Sequence, residues 1–131
     1  MIRFAEEQCG EADVDLLSIV NSIFKEGGIL EQVLGFEHRP EQYEMARSIS
    51  ASLLKENHLL FEAGTGVGKS LAYLIPSILF SKLNKRPCVV ATNTISLQEQ
   101  LLDKDIPAIR TLMEETSSLK DFLDFRCALL V

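Results

Sequence analysis

The chain is 131 residues long, 47% apolar and 24% charged, with a formal net charge of −6. One small domain is the most that this length supports, and the composition excludes a disordered, collagen-like or fibrous chain. No apolar run approaches the roughly 18 residues of a membrane span and no leader-like segment opens the chain, so a soluble, cytoplasmic protein with no membrane partner is expected.

In chain order, Val14, Leu17, Val20 and Phe24 recur at helical spacing beside Leu16, Ile19 and Ile23, and Gly27-Gly28 stops the pattern, which predicts a helix over about 13–26. A helical turn from Ile29 to Leu34 ends at Gly35. Pro40 suits a first helical residue because its missing N–H would be unpaired there anyway. The helix it opens should run to about Asn57, with Met45, Ile49, Leu53 and Leu54 on the buried side. His58 to Glu62 reads as a short buried strand entering a glycine-rich loop. A helix follows from near Gly68, bent at Pro76 yet keeping its period through Leu71, Leu74, Ile75, Ile78, Leu79 and Leu83. Cys88 to Thr92 is a second strand, and Ser96 to Glu99 has capping-box spacing at the head of the next helix. Pro107 opens a helical stretch to about Glu115, Ser117-Ser118 sits in a loop, and Phe125 to Val131 reads as a third strand or a buried segment. Strand, helix, strand in this order is a right-handed crossover unit with parallel strands. The fold class expected is therefore α/β.

The charge is uneven: residues 1–37 hold eight acids and two bases, which accounts for the whole negative balance. Nothing in it advertises nucleic-acid binding, so such a reading must rest on motifs. The acidic first helix reads as a solvated face. Cys9, Cys88 and Cys127 are odd in number and widely spaced, and His38 and His58 stand apart. This argues against a disulfide framework or zinc site and for buried or incidental thiols. The last apolar run stops without polar fraying, which suggests the N-terminal part of a longer protein.

Ala63-Gly64-Thr65-Gly66-Val67-Gly68-Lys69-Ser70 lies between the first strand and its helix, the setting of a Walker A phosphate loop. Phosphate oxygens need several N–H donors converging on one point. Gly64, Gly66 and Gly68 let the backbone turn back and approach closely, with Thr65 and Val67 between them, and the helix N-terminus adds partial positive charge. Lys69 would reach the β- and γ-phosphates of ATP, and the Ser70 hydroxyl would ligate Mg²⁺. Such chemistry also needs a second acid, normally an Asp ending an apolar strand. Asp103 and Asp105 lie in or after a helix, and Asp121 and Asp124 precede the final apolar run. Glu62 ends a strand but precedes the glycines, and reads as structural. Nucleotide binding is supported on these grounds and hydrolysis by this chain alone is not.

Three ordered words, Phe36 to Ala46 around Arg39-Pro40-Glu41-Gln42, Glu62 to Pro76 around the loop, and Ala91 to Leu101 around Thr92-Asn93-Thr94, together resemble the bacterial DinG-type helicases, superfamily 2 enzymes related to XPD. The resemblance covers about residues 28–110. It implies a RecA-like P-loop domain and ATP-driven unwinding of DNA with 5′ to 3′ movement on a single strand, in repair or replication, by a monomer. Gln42 matches the adenine-reading motif, and its amide suits the N6 and N7 edge because it offers a donor and an acceptor together. Arg39 would support the same pocket. Thr92, Asn93 and Thr94 match the first DNA-contacting motif, with Gln98 a weaker addition, and such side chains hold phosphates without reading sequence. Ending a strand and capping a helix is the competing role for these residues. Lys82, Lys85 and Arg86 read as a solvated basic turn.

The departures are equally specific. The family's iron–sulfur cluster is expected only in a parent protein, because neither Cys88 nor Cys127 matches a ligand position. The acidic motif, the second motor domain and its arginine finger are also missing from this sequence. The division expected is an acidic helical lead-in over 1–37 and the N-terminal part of the first motor domain over 38–131. A nucleotide-binding module that never hydrolyses and acts through a partner is the alternative. A small P-loop kinase is disfavoured by the Gln42 and Thr92 to Gln98 words.

Overall fold

A computed structural model describes residues 16–66 and 68–130. The described part of the first helix, α1, covers residues 16–24; the predicted positions 13–15 and Cys9 lie outside the described residues. It is followed by α2 (Ile29–Leu34), α3 (Pro40–Lys55), α4 (Lys69–Asn84) and α5 (Ile95–Gln100). A π-helical turn (Leu101–Asp105), α6 (Ile106–Glu115) and a 3-10 turn (Ser117–Phe122) complete the order, the last standing where a loop was expected.

The helix bounds follow local rules. Gly35 takes a left-handed φ of 69° and its N–H closes on the Glu31 carbonyl, which ends α2. Arg39 is extended, as a residue before proline should be, and Pro40 opens α3. α4 runs unbroken past Pro76, whose side chain is fully buried. Its buried face carries Leu71, Leu74, Ile75 and Leu79 as the spacing predicts. In α3 the buried residues are Gln42, Met45, Ala46 and Ser50, with Ile49, Leu53 and Leu54 only half-buried. α3 packs along α4, with Gln42 at its N-terminal end against the phosphate loop. The cap of α5 is Thr94, whose hydroxyl accepts from the Leu97 N–H at 3.1 Å, and not the Ser96–Glu99 box.

The expected parallel sheet is absent among the described residues: 58–62, 88–92 and 125–130 take no regular secondary structure, and no ladder hydrogen bonds join them. A strand exists only through a neighbour with a matching edge, which an apolar run in the sequence does not supply. The crossover unit built on those strands falls with them. This part of the chain is helical, and the α/β expectation is corrected accordingly.

Segment 57–66 nevertheless has a definite task. The N-terminal residues Arg39 and Gln42 of α3 meet Gly66 and Gly68 at the head of α4, while at the other end Glu56 meets Arg86. The two helices therefore lie side by side and parallel. α3 has 16 residues, which at 1.5 Å per residue is about 24 Å. Roughly seven extended residues at 3.3 Å return the chain over that distance.

One contiguous core joins the elements. Leu16, Val20 and Ile23 of α1, Ala46 of α3, Ile75 and Leu79 of α4, and Ile109, Leu112 and Met113 of α6 are all at or near zero exposure. Each such side chain contributes about 1.5–3 kcal/mol by leaving water. α4 packs against α3 on one side and against the π turn and the 3-10 turn elsewhere, while α6 covers α2. The C-terminal stretch is tied down by Arg110, which donates to the Leu123 and Phe125 carbonyls and lies 4.1 Å over the Phe125 ring.

Candidate nucleotide site

The head of α4 is where the chemistry-bearing residues converge. Gly68 caps the helix with φ 75° and ψ 45°, a left-handed conformation that L side chains rarely adopt. Gly66 has φ 80°. A Cβ on Gly68 would push the end of the Gln42 side chain aside, and the backbone conformation itself favours glycine here. Val67 between them lies outside the described residues.

Arg39 and Gln42, spaced one turn apart at the start of α3, both reach this loop. Gln42 is buried and its Nε2 donates to the Gly68 carbonyl at 3.0 Å. Arg39 donates through Nη1 to the Gly66 carbonyl. These bonds hold carbonyls on the flank of the loop and leave its N–H groups uncommitted to those two side chains. Two helix N-termini also meet here, and both bring partial positive charge to one place. Gly64, Thr65 and Lys69 are exposed, and Ser70 is half-buried. Such a cradle fits a polyphosphate: open backbone turns, an exposed ammonium, and a hydroxyl beside it for a magnesium ion.

A residue that sequence reasoning set aside lies beside the same helix. Asp105 ends the π turn, which packs on α4. Its Oδ2 is buried and has no partner. Burial pushes the Asp105 carboxyl above its usual range, with Ser70, Gln100 and the Lys104 charge opposing in part. The signal was available in the sequence. Asp105 stands four residues from Leu101 and from Ile109, so an acid interrupts an otherwise apolar helical stripe.

The residues read as nucleic-acid contacts form a second group. Thr92 is half-buried and its hydroxyl donates to the Thr94 carbonyl at 3.3 Å; Asn93 is exposed; Thr94 is occupied as the cap of α5. Thr92 and Gln98 line an open, mainly apolar groove of 490 Å³ between α4, residues 87–91 and residues 125–130. The phosphate loop does not line it. Lys82 pairs with Asp124 at 2.7 Å, while Arg86 meets Glu56 at 3.3 Å, so two of the three basic-turn residues face acids. Cys88 and Cys127 are exposed free thiols, the incidental one of the two expected alternatives. Partial desolvation pushes the Cys88 thiol up, opposed by Arg86.

A family model described as DEAD/DEAH box helicase matches residues 40–118, from the first residue of α3 into the 3-10 turn. The chain belongs to the DEAD/DEAH box helicase family. Within this helicase family it is 38% identical over 87 residues to the "3'-5' exonuclease DinG" of Bacillus subtilis, covering 66% of this chain and 9% of that protein. It is 36% identical over 107 residues to the "ATP-dependent DNA helicase YoaA" of Haemophilus influenzae, 81% of this chain and 16% of that protein. It is 46% identical over 76 residues to the "ATP-dependent helicase DinG" of Mycobacterium tuberculosis, 58% of this chain and 11% of that protein. The chain thus spans no more than 16% of the length of these relatives. No solved structure matches it.

Proposed function

We propose that this chain binds Mg²⁺-ATP and is part of the motor of a DinG-like, ATP-dependent DNA helicase. The observation that carries the reading is the meeting of Arg39 and Gln42 with the glycine loop at the head of α4. In this reading Gly64 to Gly68, with Thr65 and Val67, cradle the phosphates, Lys69 compensates the β- and γ-phosphate charge, and Ser70 ligates the metal. Gln42 exchanges its contact with Gly68 for the adenine edge, while Arg39 keeps the loop's flank in place. Bound Mg²⁺ would neutralise charge on the phosphate oxygens. Thr92, Asn93, Thr94 and Gln98 hold the backbone of single-stranded DNA, with Thr94 doing so from its cap position.

Movement is 5′ to 3′, in repair or replication, by a monomeric cytoplasmic protein; these finer points rest on the resemblance to DinG-type helicases. Among the described residues no helix is long and apolar enough to cross a membrane. The 131-residue chain by itself binds nucleotide without turning it over, because the acid that would complete hydrolysis chemistry is not at the end of an apolar strand. Titration with a fluorescent ATP analogue tests the binding. Lys69→Ala should weaken it by roughly tenfold or more, the loss of one charge-assisted contact to phosphate. Equal affinity of the two forms would sink the phosphate-loop assignment. DNA-stimulated ATP turnover by this chain, lost in Lys69→Ala, would overturn the claim that it is inert alone.

A further inference from the structure

The start of α3 has little of its own to hold it. Its N-cap, Arg39, makes no side-chain capping bond, and the first N–H groups of a helix have no intrahelical acceptor, so an uncapped first turn frays readily. Yet Arg39 and Gln42, the two residues of α3 that bond the glycine loop, lie in that turn. The residues that flank them, His38 and Tyr43, supply the support. His38 donates from Nδ1 to the Phe24 carbonyl at 3.1 Å, and the Tyr43 hydroxyl donates to Asn21 Oδ1 at 2.8 Å. A carbonyl can only accept, so the His38 proton sits on Nδ1. Asn21 and Phe24 are about one turn apart at the end of α1, where the last carbonyls in their turn lack helical donors. The His38 and Tyr43 rings meet edge to face with centroids 6.1 Å apart, and the Arg47 guanidinium lies 5.4 Å over the Tyr43 ring.

An amide discriminates between bases only if its backbone is held still. Adenine offers a donor and an acceptor on its N6 and N7 edge, whereas guanine offers two acceptors there, so a fixed glutamine amide is mismatched with guanine and a loose one is indifferent. We propose that the last turn of α1 sets the base selectivity of the nucleotide site, with His38 and Tyr43 as positioning residues that keep the start of α3 in the register in which Gln42 meets adenine. The proposal rests on the Mg²⁺-ATP reading above and gives α1 a task within it. The side-chain bonds of His38 and Tyr43 go to α1 and not to the loop, so they act through Gln42. Phosphate oxygens, held by loop N–H groups and the helix N-terminus, need no such register.

The test is binding of ATP, GTP and inorganic tripolyphosphate, each with Mg²⁺, to the full-length protein as wild type, Tyr43→Phe, His38→Leu, His38→Asn, Asn21→Ala and Asn21→Ala with Tyr43→Phe. Tyr43→Phe and His38→Leu should each weaken ATP by roughly threefold or more, the share of one hydrogen bond, and leave GTP and tripolyphosphate unchanged. His38→Asn places an amide N–H near the position of Nδ1 and should recover most of the loss. In the Tyr43→Phe background Asn21→Ala should add less than about twofold, since the two residues share one bond. Equal losses for all three ligands, no loss in any variant, or full additivity of Asn21→Ala and Tyr43→Phe overturns the proposal and leaves a packing role. Tyr43→Phe keeps the ring and its packing, so it carries the test if His38→Leu does not fold. Failure of the wild type to bind tripolyphosphate in a Lys69-dependent way removes the parent reading and this one together, whereas Lys69-dependent, ATP-selective binding that is indifferent to His38 and Tyr43 removes this one alone.

Discussion

Gly68 shows how tightly a single position is constrained. Its backbone sits at φ 75°, and a Cβ there would meet the Gln42 amide that bonds its carbonyl. Gly68→Ala should cost about 1–2 kcal/mol for the left-handed conformation alone. It should also displace Gln42, so both melting temperature and nucleotide affinity fall, as thermal melts and titrations on one sample would read. Asp105 presents the opposite balance. Its carboxyl titrates above the usual range mainly because burial disfavours the charge. The folded state then holds its proton to higher pH than the unfolded state, so unfolding releases a proton in the window above the ordinary carboxylate value and stability declines as pH rises through it. Asp105→Asn should therefore melt higher than wild type at pH 7. The gain should shrink as the pH is lowered through that window, where the wild-type carboxyl is already protonated. A pH-independent difference in paired melts would mean that burial of the charge is not the cause.

At the scale of elements, α5 depends on very little. It has six residues, none buried, and no charged residue helps its first or last turn. Six residues are far too few to be stable alone, since the first hydrogen-bonded turn is costly to nucleate. The Thr94 hydroxyl and continuity with the π turn hold it. Thr94→Ala should cost about 1 kcal/mol and speed amide exchange across 95–100, while Ser96→Ala should do neither. This comparison separates the observed cap from the capping box suggested by spacing. α3 and α4 are the opposite case. They are long, packed along their length and fastened at both ends, at Gly66 and Gly68 by Arg39 and Gln42 and at Glu56 by Arg86. The exposed Glu56–Arg86 pair adds little energy, whereas the buried faces of the two helices supply most of it.

For the whole molecule, the non-helical segments and the start of α5 set the surface character. Leu60 is 99% exposed, Leu130 80%, Val89 79% and Ile95 74%, which is unusual for a chain with a well-filled core. Contiguous exposed apolar area marks an interaction surface or an association liability. Non-helical segments without ladders also leave backbone donors and acceptors unpaired. The 131-residue chain should bind an apolar-surface dye in its folded state, and replacing Leu60 and Leu130 by Ser should lower the signal without shifting the melting midpoint downward. Absence of dye binding by the folded wild type would mean that these segments are covered. The net charge of −6 opposes self-association at low salt and does so less as salt screens it.

What residues near one another in the sequence decide was legible from the sequence alone. The start of α3 at Pro40, the Gly35 stop, the apolar face of α4 and the Gly64 to Ser70 loop at its head all depend on local backbone rules and side-chain period. The Arg39-Pro40-Glu41-Gln42 word was also readable, but its arrival at the loop was decided by the parallel packing of α3 on α4. Three matters belonged to the tertiary structure. Segments 58–62, 88–92 and 125–130 have strand composition, yet a ladder needs a second edge brought alongside, and composition cannot summon one. Thr94 outranked Ser96 as a cap because the chain becomes helical two residues earlier than spacing suggested. Asp105 was set aside as an acid in the wrong element, because only packing of the π turn on α4 brings it beside that helix. Local sequence sets conformations over a few residues, whereas hydrogen bonds between distant residues exist only once the core has put both partners in place.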